Sequence, residues 1–373
     1  MVDFSQRVQD VSISGIREVF EAAGPDAINL GLGQPDFNAP AHVHDAAVEA
    51  ITAGVADGYT YNRGTDELRE AIRAKHRRDN GIDMPDGSVI VTAGGSEALH
   101  IALEAHVDPG DEVIFPDPGF VSYDALCRIA GGVPRPVQLR ADLTLDPSAV
   151  EAAITEDTAA FIINSPSNPT GAVQSPQDMR EFARIADEHD VLCISDEVYE
   201  HIIFEGEHVS PMAHSESDNV VVVHSCSKTF SMTGWRIGWV LAEPSRIEQM
   251  LKVHQYAQAC ASAPAQYAAE AALTGPQDIV YEMVDAFERR RNLVVDGLER
   301  IGLEVPSPTG AFYAMPRVPD GWVEAVIERG VIVVPGEAFG AGGAGHARIS
   351  YATDDAEIET AIEVFEAALD DVA

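Results

Sequence analysis

From about residue 45 to 275, short apolar runs alternate with stretches in which apolar residues recur every three to four positions. The runs "VIVT", "EVIF", "AAFIIN", "VLCIS" and "VVVVHS" are continuous, as strands buried on both faces require, and amphipathic stretches separate them. That order predicts a βα-built, mainly parallel sheet. In "SPQDMREFARIADEHD", Ser175 is placed to cap, Pro176 suits the first turn, and Asp178 completes a capping-box-like arrangement. Met179, Phe182, Ile185 and Ala186 then share one face of the predicted helix. Past residue 275 the pattern changes. Strand-like "GLEV", "AFYAM", "VIVV" and "ARISY" alternate with a helix around "WVEAVIE", and a final helix carries Ile358, Ile362, Phe365 and Leu369 on one stripe. The expectation is a large domain over 45–275 and a smaller α/β domain over 276–373. Residues 1–44, with "SISGIREVFEAA" and "INLGLGQPDF", are expected to pack beside the smaller one.

Composition adds a setting. The chain of 373 residues is 46% hydrophobic and 23% charged, which suits a globular protein with a sizeable core. No apolar run has the length of a membrane span, and "MVDFSQRVQD" has no signal-peptide core, so a soluble, cytoplasmic protein is expected. Sixty-one acidic residues against 24 basic ones give a formal net charge of −37, which repels nucleic acid and anionic membranes. Such a chain also repels itself unless salt shortens the screening length from roughly 10 Å at 0.1 M to about 3 Å at 1 M. Acidic surface and scarce lysine therefore suggest adaptation to a salty cytoplasm. Cys127, Cys193, Cys226 and Cys260 have no metal-ligand spacing, so neither a disulfide nor a metal is expected.

The unusual residues gather where the apolar runs end. "VIVTAGGSEAL", "EVIFPDPGF", "AAFIINSPSNPTG", "VLCISDEVY" and "VVVVHSCSK" each pass from a buried-strand run into polar, glycine- or proline-rich residues. In open α/β sheets ligands bind outside the carboxyl ends of the strands, so five such exits imply one shared pocket. Gly94, Gly95 and Ser96 open a helix after a strand, an arrangement suited to phosphate and equally to an ordinary βα turn. Neither a P-loop nor a GxGxxG is present, so nucleotide binding is unsupported. In "SCSKTFSMTGWRIG", Ser225, Ser227 and Arg236 suit phosphate oxygens, and Lys228 is a candidate for imine chemistry. A lysine at a strand end is ordinarily just solvated, but this chain keeps only Lys75 and Lys252 besides Lys228. Asp196 and Tyr199 follow "VLCI", where a buried carboxylate needs a partner unless it merely caps a helix.

"NPTG", "SDEVY", "SCSKTFSMTGWRIGW" and "HARISYA", in this order and spacing, resemble the class I/II aminotransferases of the aspartate aminotransferase-like, fold-type I kind. The resemblance runs from "INLGLGQPDF" to "ARISYAT". It implies an α/β fold, with a mainly parallel seven-stranded sheet flanked by helices in the large domain and a smaller α/β domain. It also implies pyridoxal 5′-phosphate as cofactor, an amino acid and a 2-oxo acid as small-molecule substrates, and a homodimer with the active site at the subunit interface. On this resemblance Lys228 looks like the Schiff-base lysine and proton carrier, and Asp196 like the partner of the pyridine nitrogen. Tyr199 and Asn168 look like ligands of the cofactor's 3′ oxygen. Ser225, Arg236, Gly94, Gly95 and Ser96 match the phosphate site, and Phe120 the aromatic stacked on the ring. Tyr59 resembles the tyrosine that reaches the neighbouring subunit's phosphate. Arg348 looks like the clamp for the substrate α-carboxylate, beside the Gly33 backbone and Asn168. Arginine cannot replace Lys228 because its pKa lies above about 12. "GGSEAL" carries no basic side chain, which leaves dicarboxylate preference open, with Arg17, Arg63 and Arg128 as candidate distal-carboxylate partners. The expected activity is ping-pong amino transfer, most simply to 2-oxoglutarate. The alternative is a C–S lyase or related enzyme on the same cofactor, and the charge argues against a DNA-binding regulator of like fold.

Overall fold

The computed structural model describes residues 4–12 and 27–372. Its main sheet has seven strands: β1 (Val89–Thr92), β2 (Glu112–Asp117), β3 (Val133–Gln138), β4 (Thr158–Asn164), β5 (Leu192–Asp196), β6 (Val220–Ser225) and β7 (Gly238–Leu241). They lie in the order β1-β7-β6-β5-β4-β2-β3. Only β7 runs antiparallel, against both β1 and β6. The sheet is the α/β, mainly parallel one expected.

The continuous apolar runs have a direct cause, because both faces of the sheet are covered. Phe161, Ile163, Val220 and Val222 pack on one side with Leu68, Ile72, Met179 and Phe182. Their neighbours Ala160, Ile162, Val221 and Val223 pack on the other with Leu99, Ile101 and Ile247. The helix Pro176–His189 starts as its sequence predicts, with the Ser175 side chain accepting from the Asp178 backbone N–H. The reciprocal half of the box is missing: the Asp178 carboxylate instead accepts from the Ser175 hydroxyl and from Arg140. The sequence pattern does not announce β3, because its Pro134 and Pro136 lack N–H groups. It is the edge strand, where no outer neighbour needs them.

In the C-terminal part, Tyr313–Ala314, Val334–Pro335 and Ala347–Ser350 form a three-stranded antiparallel sheet. Ile28–Asn29 pairs in parallel with Val331–Ile332. The helices Asp278–Arg300, Trp322–Glu328 and Asp355–Val372 enclose a third core with Leu30, Phe287, Phe312, Trp322, Ile358 and Phe365. "GLEV" is not a strand. Its Leu303 and Val305 are buried by packing alone, and burial without a ladder gives the same apolar signature. Most of "SISGIREVFEAA", including Arg17, lies outside the described residues.

Candidate active site

Five strand ends of the main sheet and the edge of the C-terminal sheet enclose one cavity of about 310 Å³. Gly95 and Ser96 come from the end of β1, Phe120 from β2, and Asn164 and Asn168 from β4. Asp196 and Tyr199 come from β5, Ser225 and Lys228 from β6, and Arg236 from the loop entering β7. Gly33 and Arg348 close it from outside the main sheet.

Lys228 lies on the short helix Cys226–Thr229, whose first turn is fixed by the Ser225 side chain accepting from the Ser227 N–H. Its ammonium donates to the Gly33 carbonyl and sits 5.6 Å from the centre of the Tyr199 ring. Burial, together with the nearby Arg348 and Arg236 charges, lowers its pKa to about 8, against the pull of Asp196. The amine is thus available as a nucleophile near neutral pH. Burial pushes the Asp196 carboxyl up to about 6, against a hydrogen bond donated by the Tyr123 hydroxyl to Oδ2 at 2.8 Å, the Val198 backbone N–H and the Lys228 charge. Asp196 Oδ1 is buried without a hydrogen-bond partner among the described residues. An unpaired carboxylate oxygen at a cavity wall is costly unless something that carries a proton meets it.

Around these two groups the polar side chains brace one another. Asn164 donates to the Asp196 carbonyl at 2.9 Å and accepts from the Asn168 N–H at 2.8 Å. The Tyr199 and Tyr313 hydroxyls meet at 2.8 Å. Arg348 is fully buried, donates to Asn168 Oδ1 at 2.9 Å, and lies 4.7 Å from the ring centres of both Tyr313 and Phe339. Among the described residues no carboxylate is a hydrogen-bond partner of Arg348, so it can take an incoming one. At the opposite end Arg236 has φ 52°, a strained left-handed conformation for a side-chain-bearing residue. Gly94 accommodates it: φ is 84°, and a Cβ there would stand 2.6 Å from Arg236 Nη2. Arg236, Ser225, Ser227 and the first turn of the helix Gly95–Glu104 line one end of the cavity with a cation and donors suited to an anion.

Three candidates stand elsewhere. Tyr59 is 91% exposed and outside the cavity wall. Arg63 and Arg128 are also absent from that wall: Arg63 donates to the Gly87 carbonyl, and Arg128 pairs with Asp124. Sequence reasoning missed Tyr123, Asn164 and Tyr313. Tyr313 was hidden in "AFYAM", which reads as plain strand, and Tyr123 in an amphipathic helix.

Behind the same strand ends lies a second polar cluster. Lys75 is 1% exposed and ion-paired with Glu200, whose carboxylate also meets His201 at 2.9 Å and Asn80 at 3.1 Å. Glu197 accepts from Ser195, Ser210 and His208. Burial lowers the Lys75 pKa to about 7, with Asp79 and Glu197 resisting. Glu197, Glu200 and His208 could by spacing hold a metal ion, but the Lys75 ammonium already supplies Glu200 with a cation.

Residues 25–365 match the family model described as "Aminotransferase class I and II". The "Probable aspartate aminotransferase" of Methanocaldococcus jannaschii is 42% identical over 97% of this chain and 100% of its own length. The "Aspartate/prephenate aminotransferase" of Thermus thermophilus is 40% identical over 98% of each chain. The solved aspartate aminotransferase from Thermus thermophilus with maleate superposes with a TM-score of 0.94 at 38% identity, over 99% of this chain and 100% of that one.

Proposed function

The chain belongs to the class I and II aminotransferases and is a transaminase, and on that premise we propose that it moves the amino group of an L-amino acid to 2-oxoglutarate in a ping-pong cycle on pyridoxal 5′-phosphate held at Lys228. One observation carries the reading: Asp196 Oδ1 is buried and unpaired in the wall of a cavity that also presents Lys228, Arg236 and Arg348. A pyridine nitrogen bearing a proton satisfies that oxygen, and the Arg236 end of the cavity suits the cofactor's phosphate. The residues therefore fit the group.

When bound, pyridoxal 5′-phosphate supplies an aldehyde that reacts with amines and a ring that withdraws electron density from the substrate Cα. The chain's residues do the rest. Asp196 keeps a proton on the ring nitrogen, since a neighbouring anion favours the charged form. Tyr199 and Asn168 serve the 3′ oxygen, and Phe120 covers the ring face. Ser225, Ser227, Arg236 and the Gly95–Ser96 turn hold the phosphate. Lys228, once free, removes and returns the proton at the substrate Cα, and Arg348 pairs with the α-carboxylate beside the Gly33 backbone. In a protein of net charge −37, these local cations have to overcome an unfavourable overall field to hold two anions.

The working form is, on the same proposal, a cytoplasmic homodimer adapted to high salt. Tyr59, Tyr61 and Tyr256 are 91%, 72% and 87% exposed, and Asn62 donates to the Ala259 carbonyl, which holds the two exposed segments together. A second copy of the chain would cover these rings and bring Tyr59 towards its own phosphate site. No helix among the described residues is long and apolar enough to cross a membrane.

The test is a panel of L-amino acids with 2-oxoglutarate and the holoenzyme. Glutamate formed with at least one donor, with parallel double-reciprocal plots, is the expected result. Pyruvate and ammonia from cysteine conjugates without any glutamate would replace the proposal with a lyase.

A further inference from the structure

Tyr123 belongs to neither the motifs nor the cavity wall, yet it touches both grips on the proposed cofactor ring. It lies on the helix Ser122–Ala130, three residues after Phe120, and its N–H bonds to the Phe120 carbonyl at 3.0 Å. The two rings meet edge to face, with centroids 5.6 Å apart and planes at 83°. The Tyr123 side chain is 1% exposed, and its hydroxyl donates to Asp196 Oδ2 at 2.8 Å. That leaves Oδ1 as the free oxygen.

We propose that Tyr123 is a positioning residue that couples Phe120 to Asp196, fixing which carboxylate oxygen faces the cofactor ring nitrogen and keeping the shared proton on that nitrogen. This rests on the cofactor reading above. A phenol that donates to one carboxylate oxygen lowers the proton affinity of the other, because hydrogen bonding to the charged form favours it. The ring nitrogen therefore keeps the proton and Asp196 keeps the charge. The other charged or titratable groups near Asp196 are Glu197, which raises its proton affinity, Lys228, which lowers it, and Tyr199. Tyr123 is the one among these bonded directly to the carboxylate. Its ring also limits how far Phe120 can tilt, since edge-to-face pairs are favoured by ring electrostatics.

Tyr123→Phe keeps the ring contact and removes only the donor; Tyr123→Leu removes both. The Phe variant should hold pyridoxal 5′-phosphate about ten- to a hundred-fold less tightly on equilibrium dialysis, the range for one hydrogen bond to a charged group. Its acid limb in kcat should move to higher pH while the amino-donor KM stays unchanged, because Tyr123 does not touch substrate. The Leu variant should lose more of both, through Phe120. Replacing the cofactor by its 1-deaza analogue, which has carbon in place of the ring nitrogen, should abolish the difference in retention between wild type and Phe variant. Equal retention of pyridoxal 5′-phosphate by wild type and Phe variant, or an undiminished difference with the analogue, overturns the inference. A wild-type protein that binds no pyridoxal 5′-phosphate defeats the functional reading itself, and the two failures are distinguishable.

Discussion

The ends of β5 and β6 serve two polar regions made of the same chemical types. On the cavity side stand Lys228, Asp196, Tyr199 and Ser225; on the rear side stand Lys75, Glu197, Glu200 and His224. Alternate residues of each segment go to opposite sides, so one stretch of backbone holds both. The rear lysine is paired and the rear carboxylates are met by a cation or donors: Glu200 has Lys75 and Asn80, with His201 2.9 Å away, and Glu197 has two serines and His208, although His208 Nδ1 and His224 Nε2 have no hydrogen-bond partner among the described residues. On the cavity side Asp196 Oδ1 has no partner, and Arg348 bonds an amide and a carbonyl rather than an acid. Charged residues alone do not mark a reactive site. A carboxylate and a guanidinium that face a cavity without an ion-pair partner among the described residues do.

That contrast can be broken by swapping the expected consequences of the two lysines. Lys228→Ala should reduce amino transfer on the order of a thousand-fold or more, with no loss of unfolding free energy, because it removes a reacting group and a desolvated charge. Transfer assays beside urea titrations read both effects. Lys75→Met should do the reverse, costing about 3–5 kcal/mol by leaving Glu200 buried without its cation, while the folded fraction still turns over. Because burial holds the Lys75 pKa at about 7, below its unfolded value, the wild-type chain gains stability as pH rises from about 7 towards the ordinary lysine value, so the penalty should grow over that range. Arg348→Leu should raise the amino-donor KM about ten- to a hundred-fold by removing the charged partner of the α-carboxylate.

A finer probe is pH. Only the neutral amine attacks an aldehyde, so capture of pyridoxal 5′-phosphate by apoprotein should speed up as pH rises through about 8 and level off beyond it, the lowered pKa of Lys228 setting the midpoint. A midpoint near the ordinary lysine value would remove the electrostatic part of the account. The smallest effect is expected from salt. Lowering ionic strength should reduce the thermal midpoint of a chain with net charge −37, gradually and reversibly, and should affect both regions alike.

The same contrast explains what could be read from the chain. The parallel strands were legible because Phe161, Ile162, Ile163 and Val220 to Val223 are buried on both faces and leave unbroken apolar runs. β3 was not, because Pro134 and Pro136 on an exposed edge obey no such pattern. Lysine scarcity drew attention to Lys228, yet it applies with equal force to the buried Lys75, and the partners that separate the two are visible only in three dimensions. Tyr123 gave no signal, since a tyrosine on the buried stripe of a helix looks like core until its hydroxyl is found at Asp196.

The most direct measurement is borohydride reduction of the protein saturated with pyridoxal 5′-phosphate, followed by peptide mass mapping. With only three lysines in the chain, the readout is nearly unambiguous. The account predicts one stoichiometric cofactor adduct on the peptide containing Lys228, none at Lys75 or Lys252, and loss of the adduct in Lys228→Ala. Stoichiometric labelling at Lys75, or no lysine adduct in a folded protein, would contradict it.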